Sequence, residues 1–290
     1  MADRLAEHAP AKVNLALHVT GRRADGYHLL DTLAVFTRAG DTVHVAAEDT
    51  DSLDIDGRFA GGLSPSNNNL VVRARDLLRR LAGDAPTPPV ALRLEKNLPV
   101  ASGIGGGSSD AAATLRLLCR HWGLDIAPDT LAGDALALGA DLPMCLAART
   151  LRAEGIGERL TPAEGWPTLH MVLVNPGVEV ATPAVFRALR QADNPPLPAP
   201  PRRPDLAGVI AWLAGTRNDL QAPALSQAPV ISECLEALMA QGTAVSRMSG
   251  SGATVFGLFA SADAAGEAAR TIAAARPSWY VAATQTIERA

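Results

Sequence analysis

The segment Pro99-Val-Ala-Ser-Gly-Ile-Gly-Gly-Gly-Ser-Ser-Asp-Ala-Ala112 contains four glycines within five residues, followed by two serines and an aspartate. Its glycines remove the β-carbons from a loop, and helix formers at helical spacing then run from Ser108 to Trp122, with Gly123 as a stop. Backbone N–H groups at a helix start, together with the positive end of the helix dipole, bind anions such as phosphate. The stretch therefore predicts a phosphate-binding loop that opens onto a helix. The alternative is a tight turn that only packs a helix on a sheet.

Two common phosphate loops do not match this stretch. A Walker A loop requires a lysine after its last glycine, and none follows here. A Rossmann fingerprint counted from Gly103 requires glycine at position 108, which is serine. The loop therefore belongs to another nucleotide-binding design, in which Ser108 and Ser109 add hydroxyls that could hold a phosphate oxygen or a magnesium ion.

Composition places the chain among globular proteins. Of its 290 residues, 48% are hydrophobic and 19% charged, and 26 Lys and Arg stand against 30 Asp and Glu for a net charge of −4. No overall positive field attracts nucleic acid or an anionic membrane. The longest uncharged stretch is interrupted by glycines and is too short to span a membrane. We expect no nucleic-acid or membrane partner and, from the acidic N-terminal residues, a cytoplasmic protein.

Periodicity predicts a mixture of strands and helices. In the first half, strands are predicted at 13–19, 29–36, 42–46, 52–55 and 90–95, and helices at 70–81, 108–122 and 128–138. In the second half, strands are predicted at 169–174, 243–247, 253–259 and 279–283, and helices at 183–190, 206–214, 230–240 and 262–275. The second half follows a β-α-β-β-α-β split sheet with helical insertions. A change in character after Gly157 predicts a domain boundary there.

A proline-rich segment, Asn194-Pro-Pro-Leu-Pro-Ala-Pro-Pro201, interrupts the second half. Prolines at this density favour an extended chain without regular hydrogen bonds. We expect an exposed spacer rather than a core element.

Phosphoryl transfer requires a group that takes the acceptor's proton and a cation beside the phosphate, and Asp141 and Lys12 are the candidates. Asp141 lies in the small, apolar segment Gly139-Ala-Asp-Leu-Pro143, although an aspartate there is equally consistent with a helix cap. Lys12 begins a strand on the same face as Asn14, where a solvated lysine is the more common case.

Two further segments are candidate ligand contacts. Asp25-Gly-Tyr-His28 places an aromatic ring and an imidazole on a turn, which suits recognition of a planar ligand, although such residues are more often structural. Arg247-Met-Ser-Gly-Ser-Gly-Ala-Thr254 is a small-residue loop that permits close approach by a ligand or by the other domain.

The chain resembles the GHMP kinase superfamily in four segments that occur in the same order: 11–28, 99–112, 139–143 and 248–254. The resemblance implies a two-domain α+β fold with its active site in the interdomain cleft. The N-terminal domain, 1–157, would be of the ribosomal-protein-S5-domain-2-like type, and the C-terminal domain, 158–290, ferredoxin-like. Tyr27 and His28 resemble the branch whose acceptor is 4-diphosphocytidyl-2-C-methyl-D-erythritol.

By this resemblance, the γ-phosphoryl group of ATP passes to the 2-hydroxyl of that acceptor with the help of Mg2+. Asp141 would be the base, and Lys12 would stabilise the anionic transition state. The residues implied for ATP binding are Asn69, Lys96, Pro99, Gly103, Ile104, Gly105, Gly106, Gly107, Ser108 and Ser109. Those implied for the acceptor are Asn14, Tyr27, His28, Thr182 and Phe186.

Two other functions remain open on the sequence. One is a GHMP kinase with a mevalonate-type or homoserine acceptor, against which the Tyr27-His28 pair argues. The other is a nucleotide-binding regulator without turnover, which would have no need of Asp141 and Lys12. The sequence leaves the metal ligands unassigned and the oligomeric state open between a monomer and a weak homodimer.

Overall fold

The computed structural model describes residues 5–287, and at residues 128 and 129 only the backbone. Residues 1–4 and 288–290, the outer ends of the two predicted domains, lie outside the described residues. The chain forms two compact units, each built from several segments. The first unit contains 5–11, Gly40–Val100 and Gly105–Ala147, and the second contains Lys12–Ala39, Ala101–Ile104 and the chain from Ala148 onward. A single boundary after residue 157 stays a prediction, since these units do not follow one break in the chain.

The first unit combines a small sheet with helices. The second half of strand β2 (His28–Ala47) pairs antiparallel with β4 (Val90–Glu95), and β3 (Ser52–Asp56) pairs parallel with β4. The helices are α1 (Leu70–Ala82), α2 (Gly106–Trp122), α3 (Pro128–Ala135) and α4 (Leu142–Ala147), with a 3-10 turn at Leu136–Leu138 between the last two. Helix α2 packs against both α1 and α4.

The ends of α1 and α2 follow from local sequence. The side chain of Asn69 accepts a hydrogen bond from the N–H of Val71 at 2.9 Å, and α1 ends at Gly83 with φ of 58°. Helix α2 begins at Gly106, two residues earlier than predicted, because Gly105 adopts the left-handed conformation before it. Gly123, also left-handed, ends it.

The second unit contains the predicted split sheet. Strands β7 (His170–Asn175), β8 (Val245–Met248), β9 (Val255–Phe259) and β10 (Tyr280–Ile287) form an antiparallel sheet in the order β10-β7-β9-β8. Helix α8 (Val230–Met239) connects β7 to β8 in this pattern, and α9 (Ala262–Ala275) connects β9 to β10. This is the ferredoxin-like β-α-β-β-α-β arrangement, and the prediction is confirmed.

A shared apolar core holds these helices on the sheet. Ile231, Leu235 and Leu238 recur at helical spacing on α8 and are buried with Val172 and Val174 of β7.

The remaining helices of this unit are α5 (Thr182–Arg187), α6 (Leu206–Ala214) and α7 (Gln221–Gln227). Strand β5 (Leu151–Gly155) pairs with the first half of β2 and with β6 (Arg159–Pro162).

Several elements differ from prediction. The strands predicted at 29–36 and 42–46 form one continuous strand, β2, and the strand predicted at 13–19 extends over β1 (Leu5–Arg22). Gly40 does not interrupt β2: a β-carbon there would lie 2.5 Å from the carbonyl oxygen of Ala9, so this glycine permits a close strand approach. Strands β5 and β6 and helices α4 and α7 were not predicted, because each is short.

The prediction of an exposed proline spacer is confirmed in part, since residues 195, 196, 198 and 199 are exposed. Residues 194–201 form neither helix nor strand, but Leu197 is buried, and hydrogen bonds tether the segment along its length. The segment is therefore irregular and largely exposed, as predicted, but it is tied to the fold rather than being a free spacer.

Candidate active site

In the second unit, Lys12 and Asn14 lie buried on β1 beside the start of the glycine loop. The N–H of Lys12 donates to the carbonyl oxygen of Ile104 at 2.9 Å. The N–H of Asn14 donates to Oγ of Ser249 at 3.0 Å, and that hydroxyl donates to the carbonyl oxygen of Gly103 at 3.0 Å. Ser249 thereby joins the strand that carries Lys12 to the loop.

The small-residue loop around Ser249 packs backbone against backbone on Gly103. A β-carbon on Gly103 would lie 2.6 Å from the carbonyl oxygen of Ser249, and one on Gly250 would lie 2.7 Å from that of Gly103. Both glycines have positive φ, at 75° and 55°. The close approach predicted for this loop is thus made by the chain itself.

Asn14 presents a polar atom that suits a ligand. Its side-chain N–H donates to Oγ1 of Thr32 at 2.8 Å, whereas its buried Oδ1 has no hydrogen-bond partner among residues 5–287. A buried acceptor without a partner is costly to the fold. A ligand hydroxyl that donates to Oδ1 would remove this cost, which favours the predicted contact of Asn14 with the acceptor.

The residues predicted to recognise a planar base also lie in the second unit. The rings of His28 and Phe186 stack with centroids 4.8 Å apart and planes 25° apart. Burial, and then the charge of Arg22, lowers the pKa of His28 below its ordinary value. A neutral imidazole offers one donor and one acceptor, as the edge of a base requires. Tyr27, next to His28, is 61% exposed.

Thr182 begins α5, the helix that carries Phe186. Its Oγ1 lies 2.7 Å from Oγ of Ser251 in a hydrogen bond whose donor can be either hydroxyl. The predicted acceptor residue Thr182 is therefore tied to the small-residue loop that also contains Ser249.

In the first unit, the start of α2 is built to face an anion. Gly105 precedes the helix in the left-handed conformation, and the first bond within the helix is from the N–H of Ser109 to the carbonyl of Gly105 at 2.8 Å. The N–H groups of Gly106, Gly107 and Ser108 thus lie in the first turn, where helical N–H groups have no partner within the helix. These are the donors that the predicted phosphate loop requires.

The two serines of the motif differ in role. Oγ of Ser109 is buried and donates to the carbonyl oxygen of Pro10 at 2.6 Å, so this hydroxyl serves the fold. Ser108 is half-buried, and a β-carbon on Gly139 would lie 3.7 Å from its Oγ. The segment that leads to the half-buried Asp141 therefore passes Ser108.

Lys96 is held in a buried charge cluster that the sequence did not predict. Its Nζ donates to Oδ2 of Asp41 at 2.5 Å and to Oδ2 of Asp110 at 2.6 Å, and all three side chains are buried. Oδ1 of Asp41 also accepts from the N–H groups of Asn97 and Leu98, at 2.6 and 2.7 Å. We therefore assign the ammonium of Lys96 to the support of the glycine loop; its predicted adenosine contact stays a prediction.

This cluster explains one glycine of the loop. A β-carbon on Gly106 would lie 3.1 Å from Nζ of Lys96, so the first residue of α2 rests on the buried ammonium. The cluster thus joins three elements: Lys96 directly follows β4, Asp41 lies on β2 and Asp110 lies in the first turns of α2. Sequence offered one signal for it, an aspartate inside an alanine-rich helix, whereas Asp41 is 55 residues from Lys96.

The remaining predicted residues have structural partners. Asn69 caps α1 and donates through Nδ2 to the carbonyl oxygen of Ser64 at 3.1 Å. Pro99 is buried at the entry of the loop.

Within residues 5–287, no group of three or more His, Cys, Asp or Glu side chains is arranged to hold a metal ion, so no side-chain ligand set for Mg2+ is assigned. In the same residues, no helix is both long and apolar enough to cross a membrane.

Burial, together with the nearby charge of Asp41, raises the pKa of Asp110 to about 8, although the ammonium of Lys96 acts in the opposite direction. Burial lowers the pKa of Lys96, but the charges of Asp110 and Asp41 outweigh it and raise this pKa above its usual value. The cluster therefore keeps the charge on Lys96, and Asp110 binds its proton more tightly than a solvated aspartate does.

This shift predicts a pH dependence of stability. Because the pKa of Asp110 is higher in the folded chain than in the unfolded chain, its stabilising contribution is present below about pH 4 and is lost as pH rises towards 8. Asp110→Asn, which does not titrate, should gain stability relative to the wild type as pH rises from 5 to 8. Urea unfolding across this range measures the effect, with Asp84→Asn at an exposed site as the control. Identical pH slopes for Asp110→Asn and the wild type would contradict it.

The amino-acid sequence is similar to those of known kinases. The family model described as GHMP kinases N terminal domain matches residues 69–149, and the one described as GHMP kinases C terminal matches residues 202–277. The chain is 55% identical to a 4-diphosphocytidyl-2-C-methyl-D-erythritol kinase of Mesorhizobium japonicum, over 97% of this chain and 95% of that protein. It is 53% identical to the kinase of the same name from Agrobacterium fabrum, over 99% and 97%.

Solved structures agree with the sequence matches. A crystal structure of 4-(cytidine 5'-diphospho)-2C-methyl-D-erythritol kinase is similar with a TM-score of 0.79 and 35% identity, over 98% of this chain and 100% of that one. Homoserine kinase from Cytophaga hutchinsonii is similar with a TM-score of 0.68 and 18% identity, over 99% and 96%. The second likeness concerns the fold alone.

Proposed function

The chain belongs to the GHMP kinases and, among them, to the 4-diphosphocytidyl-2-C-methyl-D-erythritol kinases, and on this premise we propose that it phosphorylates that cytidine compound with ATP. The products are the 2-phosphate of the substrate and ADP, in a step of the non-mevalonate isoprenoid pathway. The observation that carries the proposal is identity above 50%, over almost the whole chain, to kinases of this name.

The stack of His28 on Phe186 supports the cytidine group as the recognised part of the acceptor. Aromatic rings pair with a planar base by stacking, and a neutral histidine hydrogen bonds to its edge. A mevalonate or homoserine acceptor has no aromatic ring that would stack on such a pair.

In the transfer, the 2-hydroxyl oxygen of the acceptor forms a bond to the γ-phosphorus, and the bond from that phosphorus to the bridging oxygen of ADP breaks. The hydroxyl proton passes to the carboxylate of Asp141. Lys12 stabilises negative charge in the transition state, and the N–H groups of residues 106–108 bind the phosphates. Mg2+, when bound with ATP, neutralises charge on the phosphate oxygens. Positioning and electrostatics thus account for most of the catalysis.

A coupled assay of ADP release tests the proposal. The purified chain, with ATP and Mg2+, is given 4-diphosphocytidyl-2-C-methyl-D-erythritol, mevalonate or homoserine. Turnover with the cytidine compound alone is expected. Turnover with another acceptor would reject the proposed acceptor but keep the kinase chemistry, and ATP binding without any turnover would favour a regulator.

The role of Asp141 predicts the effect of its removal. Asp141→Asn should lower kcat by about 10²- to 10⁴-fold, since general-base catalysis is worth roughly that much, while the Kd for ATP changes little. Asp125→Asn, an exposed acid in the same unit, is the control and should keep wild-type kcat. Near-normal turnover by Asp141→Asn would exclude Asp141 as the base.

The role of His28 predicts a selective loss of substrate affinity. His28→Ala removes a ring stack and a hydrogen bond, each worth about 1 kcal/mol, so the KM for the cytidine compound should rise roughly 10- to 30-fold. The KM for ATP should not change. His121→Ala, at the end of α2, controls for the loss of a histidine. An equal rise in both KM values would point to a structural role for His28.

A further inference from the structure

The proline-rich segment 194–201, here called the strap, forms neither a strand nor a helix, and side chains from other parts of the chain hold it through hydrogen bonds. Five of its eight residues are prolines, which have no N–H to donate. Neighbouring side chains instead supply donors to its carbonyl oxygens, and a buried carboxylate accepts the N–H of Leu197. Burying polar groups is costly unless they are hydrogen-bonded, so these contacts indicate that the position of the strap matters to the fold or to the site.

The first fastening is to β1. Nε2 of His18 accepts from the N–H of Arg217 at 3.2 Å, so the ring proton lies on Nδ1, which donates to the carbonyl oxygen of Pro195 at 3.0 Å. The N–H and Nδ2 of Asn194 both donate to the carbonyl oxygen of Val19, at 3.1 and 3.0 Å. His18 is 1% exposed, so the strap is bound here to a side chain of the interior.

The neutral state of His18 suits this contact, since a second ring proton would face the N–H of Arg217. Burial, the largest influence, lowers the pKa of His18 below its ordinary value, and Arg217 acts in the same direction. The carbonyl of Pro195 and the carboxylates of Asp219 and Asp31 act in the opposite direction.

The second fastening is to β2, through Asp31. Its buried carboxylate accepts from the N–H of Leu197 at 2.8 Å and from two nitrogens of Arg152, at 2.7 and 2.6 Å. A charge-assisted, two-point contact of this kind is among the stronger hydrogen-bond arrangements in proteins. Leu197 itself is 3% exposed.

The far end of the strap is held by two tryptophans. Nε1 of Trp212 donates to the carbonyl oxygen of Ala199 at 3.1 Å, and Nε1 of Trp166 donates to that of Pro201 at 3.2 Å. The two rings meet edge to face, with centroids 5.8 Å apart. The strap is thus fixed at both ends and in its middle.

These fastenings connect the two elements that carry the stacked rings. Strands β1 and β2 are joined by the turn that contains Tyr27 and leads to His28, while Phe186 lies on α5, which ends at Arg187. After α5, the chain binds β1 through Asn194 and then β2 through Leu197. The strap therefore ties α5 to the same hairpin that carries His28.

We propose that the strap, residues 194–201, holds Phe186 in register with His28, and that Asp31 and His18 are positioning residues for recognition of the cytidine group. The inference rests on the proposed function, because it assigns a purpose to the base-binding rings of that site. Neither Asp31 nor His18 needs to contact the substrate. Loosening either should weaken the binding of the acceptor and leave the binding of ATP unchanged.

The test is steady-state kinetics of Asp31→Asn with 4-diphosphocytidyl-2-C-methyl-D-erythritol and ATP. We expect the KM for the cytidine compound to rise about tenfold, with kcat and the KM for ATP within twofold of wild type. Asp51→Asn is the matched control, since Asp51 also accepts from an arginine, Arg79, and from one backbone N–H, that of Val90, but in the first unit. The control should leave both KM values unchanged.

A double variant separates positioning from general damage. If Asp31 acts through Phe186, then adding Asp31→Asn to Phe186→Ala should cause no further rise in the KM for the cytidine compound. His18→Leu should act like Asp31→Asn, and His18→Gln, which keeps one donor and one acceptor, should restore part of the loss. The His18 pair carries the test if Asp31→Asn does not fold.

If the wild type turns over the cytidine compound, the proposed function stands, and three results would still overturn the strap's role. The first is an unchanged KM for the cytidine compound in both Asp31→Asn and His18→Leu. The second is an equal rise of the KM for the cytidine compound and for ATP, and the third is a full effect of Asp31→Asn on the KM in the Phe186→Ala background. Absence of wild-type turnover of the cytidine compound would instead overturn the proposed function and this inference with it.

Discussion

Two backbone segments approach each other so closely, at Gly103 and at Ser249–Gly252, that neither Gly103 nor Gly250 can carry a β-carbon. This contact fixes the entrance of the glycine loop, and the hydroxyl of Ser249 extends it to Asn14 on β1. Lys12 is held to the same entrance through the carbonyl of Ile104. The placement of Lys12, the candidate catalytic lysine, thus depends on glycine at positions 103 and 250 as well as on the hydroxyl of Ser249.

Buried aspartates recur as the means of holding irregular backbone. Asp41 binds the ammonium of Lys96 together with two backbone N–H groups, and Asp31 binds Arg152 together with the N–H of Leu197. Asp219 likewise pairs with Arg217 and accepts one backbone N–H, although that N–H belongs to Val19 within strand β1. In each case a cation compensates the buried carboxylate, and the carboxylate also accepts a hydrogen bond from at least one backbone N–H.

Local signals predicted the fold well where a single segment contains them. The Asn69 cap, the stop at Gly123 and the spacing of Ile231, Leu235 and Leu238 lie within their own helices, and the split-sheet order follows from how such elements alternate along the chain. The glycine loop was equally readable, because its chemistry resides in the backbone.

The missed features depend on partners distant in sequence. Nothing near Lys96 shows that Asp41 will reach it, and nothing in residues 194–201 shows that His18 and Asp31 will hold them. Prolines in the strap have a further consequence. A chain restricted at φ is already ordered in part before folding, so fixing it costs less conformational entropy than fixing a flexible loop of equal length. A few hydrogen bonds therefore suffice to keep an irregular segment in one conformation.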